Sequence, residues 1–226
     1  MTSPKPIDRL FFSGFALYFL AVNVVGFSTN IYRSYAFGTG TPGNEYVHGV
    51  FAASWVLLFT VQTLTIGSGR TKLHMRLGKL AIPILILVLI TGYYVALRPH
   101  QTELSVPVSL VSSEFGLFTL VTVLGTLGIV YRRRPSAHKR YMLMTIIMMS
   151  TAGLNRVMQL ADIQVDPPAI LFVLFWPLLL LLAYDIVVYR RLFLPSVLGV
   201  ALLVLTLVNQ ALWTPLVTHL RALVTS

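Results

Sequence analysis

The chain is 226 residues long, 56% hydrophobic and only 11% charged, with a formal net charge of +10. A soluble domain carries about 25% charged residues, so this composition points to an integral membrane protein, and its positive balance concerns lipid and topology rather than nucleic acid. The absence of cysteine excludes disulfides, thiolate metal sites, iron–sulfur clusters and cysteine nucleophiles.

Seven apolar runs are long enough to cross a bilayer, which takes about 20 helical residues. They cover 10–28, 47–67, 77–97, 115–131, 141–160, 169–189 and 194–212. The opening "MTSPKPIDRLFFSGFALYFL" has the look of a signal peptide, but its apolar run continues through "AVNVVGF" without a small-residue cleavage site. It is read as a retained first span. Spans in hydrocarbon must be helices, so the fold class is all-α, a polytopic bundle forming one domain over 1–226. Pro83 and Pro177 are expected to kink the third and sixth helices.

The cations set the orientation. Lys5, Arg9, Arg70, Lys72, Arg76, Lys79, Arg132, Arg133, Arg134, Lys139, Arg140, Arg190 and Arg191 fall on one side of the seven spans. Arg33, Arg98, Arg156 and Arg221 fall on the other. The richer side is cytoplasmic, which places the N-terminus inside, the C-terminus outside, and the protein in the inner (plasma) membrane.

Two loops combine histidine with cations: "GRTKLHMRLGKL" and "RRRPSAHKRYM". They put His74 and His138 at one depth, at the cytoplasmic mouths of the third and fifth spans, as two axial ligands of a b-type haem require. Arg76 and Arg140 are then candidates to pair with its propionates. The plainer reading makes both histidines interfacial residues beside lipid phosphate.

In the second span His48, Trp55 and Gln62 recur every seven residues and share a face. That stripe lines a cofactor or substrate pocket, or else supplies interhelical hydrogen bonds. A second polar set is predicted near the external side: Asn23, His48, Glu114, Arg156 and Gln159. There Arg156 either holds an anionic group or snorkels to the headgroups. Asp185 lies about one turn from Arg190 and Arg191 and is expected to pair with them. The seventh span has no lysine for a retinal Schiff base, and the chain has no nucleophile elbow, H-E-x-x-H pair or P-loop.

The residues His48, Gln62, His74, Arg76, Gly78, His138, Arg140, Met142 and Arg156, spread over 46–160, form a pattern. It resembles a group of uncharacterised bacterial multi-span proteins with a His-Arg-x-x-Gly-type turn and a His-Lys/Arg-Arg-x-Met turn. Histidines at both ends of a helical core are similar to those of transmembrane b-type cytochromes and haem-A-synthase-like proteins. The resemblance implies a haem b redox protein, or an assembly factor for one, served by a quinol or a redox partner protein. By the same analogy His48 needs an external partner histidine. Arg156 stands in that place, so His74 and His138 are the better pair. The alternatives are a small transporter or lipid-interacting protein using the external pocket, and a structural accessory subunit.

Overall fold

In the computed structural model, residues 6–36, 43–97, 108–163, 167–208 and 210–225 are described. An external turn-rich loop is expected over 35–46; its residues 37–42, and Lys5, Arg98, His100, Glu103 and Asp166, lie outside them, while 35–36 and 43–46 belong to helices. Among the described residues every regular element is helical: α1 (Pro6–Ala36), α2 (Gly43–Gly67), α3 (Thr71–Leu77), α4 (Ala81–Leu97), α5 (Val108–Val130), α6 (Pro135–Met149), α7 (Thr151–Leu160), α8 (Pro167–Tyr189), α9 (Leu194–Val208) and α10 (Gln210–Thr225). Among the described residues five helices are long and apolar enough to cross a membrane. They become six if the bent pair Leu194–Val208 and Trp213–Leu223 is one crossing.

The local breaks have local causes. After α2, Gly69 adopts φ +76°, a left-handed conformation that glycine takes without strain. The Arg70 N–H then reaches back to the Thr65 carbonyl at 2.7 Å. That reversal sends the chain into the short α3, which a 3-10 turn over Gly78–Leu80 joins to α4. The expected kink at Pro83 is not needed. Pro83 stands in the first turn of α4, where a missing N–H breaks no hydrogen bond. Pro177 does lie inside α8.

The fifth apolar run divides at Ser150, between α6 and α7. The α6 half is the centre of the bundle, touching α1, α2, α5, α8 and α9. Arg140, Tyr141, Leu143, Met144, Thr145, Ile146, Ile147 and Met148 are all buried on it, so protein surrounds it on every side. By contrast α4, which faces outward along much of its length, buries only Leu85, Val88, Gly92 and Ala96. Near the break α1 and α7 approach through two glycines. A β-carbon at Gly26 would run into the Gly153 carbonyl, so only glycine permits this spacing.

Candidate functional site

The residues His138, Lys139 and Arg140 follow one another at the start of α6. Arg134 is extended (φ −112°, ψ 90°) and Pro135 opens the helix, a position where proline is preferred. Successive helical side chains diverge by about 100°, so on an enclosed helix three neighbours in sequence meet three different parts of the bundle.

His138 turns toward α3. Its Nδ1 sits 2.8 Å from the Gly128 carbonyl at the end of α5, which fixes that nitrogen as the N–H and leaves Nε2 as the acceptor. The His74 and His138 ring centres lie 6.2 Å apart with their planes at 79°. His74 Nδ1 is buried without a hydrogen bond, although the Gln62 carbonyl is close enough to act on the ring. The Gln62 amide is equally bare, since neither Oε1 nor Nε2 has a partner and both are buried. Gly78 lies next to it: Gln62 Nε2 is 3.7 Å from where a β-carbon on Gly78 would stand, an ordinary contact. Two turns up the same face of α2, the buried Trp55 indole N–H is also unpaired. Gln62, His74, Gly78 and His138, from three stretches of sequence, thus meet at one end of the bundle. Unsatisfied buried polar groups are rare and call for a reason, such as a ligand or water.

Lys139 turns toward α1 and α8. Its Nζ is 3.1 Å from Asp8 and 4.8 Å from the centre of the Phe12 ring. Asp8 in turn accepts hydrogen bonds from the hydroxyls of Tyr184 and Tyr189. Arg140 turns toward α8 and α9, and its guanidinium forms a fully buried ion pair with Asp185. The Arg140 Nη1 also donates to the Ser136 carbonyl at 2.7 Å, Ser196 donates to Asp185 at 2.6 Å, and the Phe193 ring lies 3.6 Å from the guanidinium carbon.

Two expectations are corrected here. Asp185 pairs with Arg140 rather than with Arg190 and Arg191, because α8 ends at Tyr189 and Arg190 takes φ 54°, turning the chain away. Arg140 is consequently committed to a carboxylate and is not free to meet a propionate. Arg76 stays exposed, on the outer side of α3. Sequence reading missed Asp8, Tyr184, Tyr189 and Ser196. The available signal was two acids, Asp8 and Asp185, at the cation-rich ends of the apolar runs.

The external pocket is assembled only in part. Asn23 Nδ2 donates to the Phe19 carbonyl and to Ser150 Oγ, both at 2.8 Å, so it ties α1 to the α6–α7 break. His48 Nδ1 lies 3.1 Å from Thr91 on α4, and its ring is edge-on to Phe118 at 5.6 Å. Arg156 stacks over Phe27 at 4.5 Å, with Glu45 and Glu114 within electrostatic reach. Gln159 is exposed.

No protein-family model, curated protein or solved structure matches the chain. The functional reading therefore rests on the chemistry of the residues themselves.

Proposed function

We propose that the protein is a multi-pass inner-membrane redox protein, or an assembly factor for one, that binds a b-type haem through His74 and His138. The observation that carries this reading is the 6.2 Å between the two ring centres. A metal shared by two imidazoles, with bonds of about 2 Å each, sets the ring centres roughly 6 Å apart. An edge-to-face ring contact also falls in that range, so the hydrogen bonds weigh as well. A ligating histidine usually gives its second nitrogen to a carbonyl, and His138 Nδ1 does so at Gly128. The bare Gln62 amide, and a His74 ring with only the Gln62 carbonyl near it, support a ligand between these helices.

The residues divide the work. Gly128 holds the His138 tautomer, Gln62 offers a donor and an acceptor to whatever fills the site, and Arg76 is the cation free to meet an acidic substituent at the rim. Haem bound there would exchange single electrons between Fe(II) and Fe(III), with a quinol or a redox protein as the other party. The charge distribution supports a cytoplasmic N-terminus and an external C-terminus. Counting the enclosed α6–α7 segment with the five long helices and the bent pair gives the seven crossings that this orientation needs.

The transporter reading draws on Arg156 with Glu45 and Glu114, but Asn23 and His48 already have partners. The test is a visible spectrum of the detergent-purified protein, oxidised in air and then reduced with dithionite. A Soret band that shifts and sharpens on reduction, and is lost in His74→Ala and His138→Ala, is the expected result. A folded, colourless protein that does not respond to added hemin overturns the assignment.

A further inference from the structure

We propose that α3 and the turn after it form a headgroup site for an anionic lipid carrying two phosphates. The candidate span Thr71–Leu97 has 27 residues, about 40 Å of helix against a hydrocarbon core of about 30 Å. The surplus is α3, which has no buried residue and so belongs in the headgroup layer.

Lys72 and Arg76 are one turn apart, and Lys79 follows near the end of the next turn, giving a cationic row about 10 Å long. All three are exposed, as is Arg70. No acid balances them locally, since the chain has no Asp or Glu between Glu45 and Glu103.

Two open grooves lie side by side on this surface. One, of about 260 Å³, is lined by Lys72, Met75, Arg76 and Lys79. The other, of about 410 Å³, is lined by Gly69, Arg70, Thr71, Lys72, Leu73 and Arg76. Lys72 and Arg76 line both grooves, with Arg70 in one and Lys79 in the other, so two phosphates joined by a short linker meet four cations, two of them shared. Leu73, Met75 and Leu80 are exposed large apolar side chains on the same stretch, fit to meet acyl chains beneath the headgroup. Basic pockets at the cytoplasmic interface recognise such lipids by this combination of charge and depth. Arg70, Lys72 and Lys79 play no part in the haem reading and Arg76 is common to both sites, so the lipid preference is read independently of any visible spectrum.

The experiment is native mass spectrometry of the full chain in detergent, titrated with an equimolar mixture of cardiolipin and phosphatidylglycerol. Cardiolipin adducts should persist at roughly tenfold lower lipid concentration. The Lys72→Gln/Arg76→Gln double variant should lose that preference, whereas Arg132→Gln/Arg133→Gln, equal in charge removed, should retain it. Equal retention of both lipids, or equal loss in the two double variants, overturns the proposal. Displacement of cardiolipin by inorganic pyrophosphate at matching concentration overturns it too, because the ligand would then be a soluble diphosphate. Circular dichroism of each variant confirms that exposed substitutions leave the fold intact.

Discussion

Replacing Asp185 by leucine leaves the Arg140 guanidinium without its counter-ion inside the bundle. Both side chains are fully buried, so no water reaches the orphaned charge. What remains is one hydrogen bond to the Ser136 carbonyl and the Phe193 ring. Breaking a buried pair from one side costs about 3–5 kcal/mol. For a chain of this size that lowers the thermal midpoint by roughly 10 °C. Arg140→Met removes the other partner and should cost a similar amount, because it leaves the buried carboxylate without its cation. The double variant Arg140→Met/Asp185→Leu should melt close to the parent protein, because two apolar side chains of similar volume replace a pair whose desolvation offset most of its attraction. The assay is intrinsic-fluorescence melting in detergent. A loss below about 1 kcal/mol in Asp185→Leu, or a double variant no better than the worse single, refutes the reasoning.

Gln62→Leu removes two unpaired buried polar atoms at similar volume, so it should stabilise the ligand-free protein by about 1–3 kcal/mol; a lower melting temperature would count against a bare amide. Trp55→Phe removes the unpaired N–H but also leaves a cavity at a buried core position, so the two effects oppose and the variant should melt within about 1–2 kcal/mol of the parent; a larger loss would mean that the indole N–H has a partner. Gly26→Ala places a methyl against the Gly153 carbonyl and should cost about 1–3 kcal/mol through overpacking; an unchanged midpoint would mean the helices can separate freely. Asp8→Ala leaves Lys139 and two tyrosine hydroxyls without their acceptor, while Asp8→Asn keeps an oxygen for the tyrosines, so the alanine variant should melt lower. Equal midpoints would show that only the charge matters.

The all-helical, apolar character of the chain was legible because hydropathy answers directly to the bilayer, whereas five or six of the seven expected spans are long and apolar enough among the described residues. The common depth of His74 and His138 could be read for the same reason. The partners of Lys139 and Arg140 could not. Both look like ordinary loop cations, and Asp185 is 45 residues from Arg140. Nearness in sequence favoured Arg190 and Arg191, but the left-handed turn at Arg190 overrides a helical register that stops one residue earlier. The heptad stripe on α2 did share a face, yet its members met different fates. His48 found Thr91, while Trp55 and Gln62 kept bare polar atoms. Nothing in a spacing of seven says which member will have a partner on the next helix.

The enclosure of α6 also bears on how the chain is made. A segment wrapped by protein needs less greasiness than one that must settle in lipid alone, and this one starts with three consecutive basic or titratable residues. Ribosomal order delivers it before α8 and α9, which carry the carboxylate and hydroxyl that Arg140 requires. An arginine near a nascent span resists partition into the bilayer. The segment should thus stay at the membrane margin, with Arg140 in reach of water, until Asp185 has been synthesised. Its final seating then coincides with the arrival of α8 and α9, so that truncation before Tyr184 yields a protein whose central helix has no settled place.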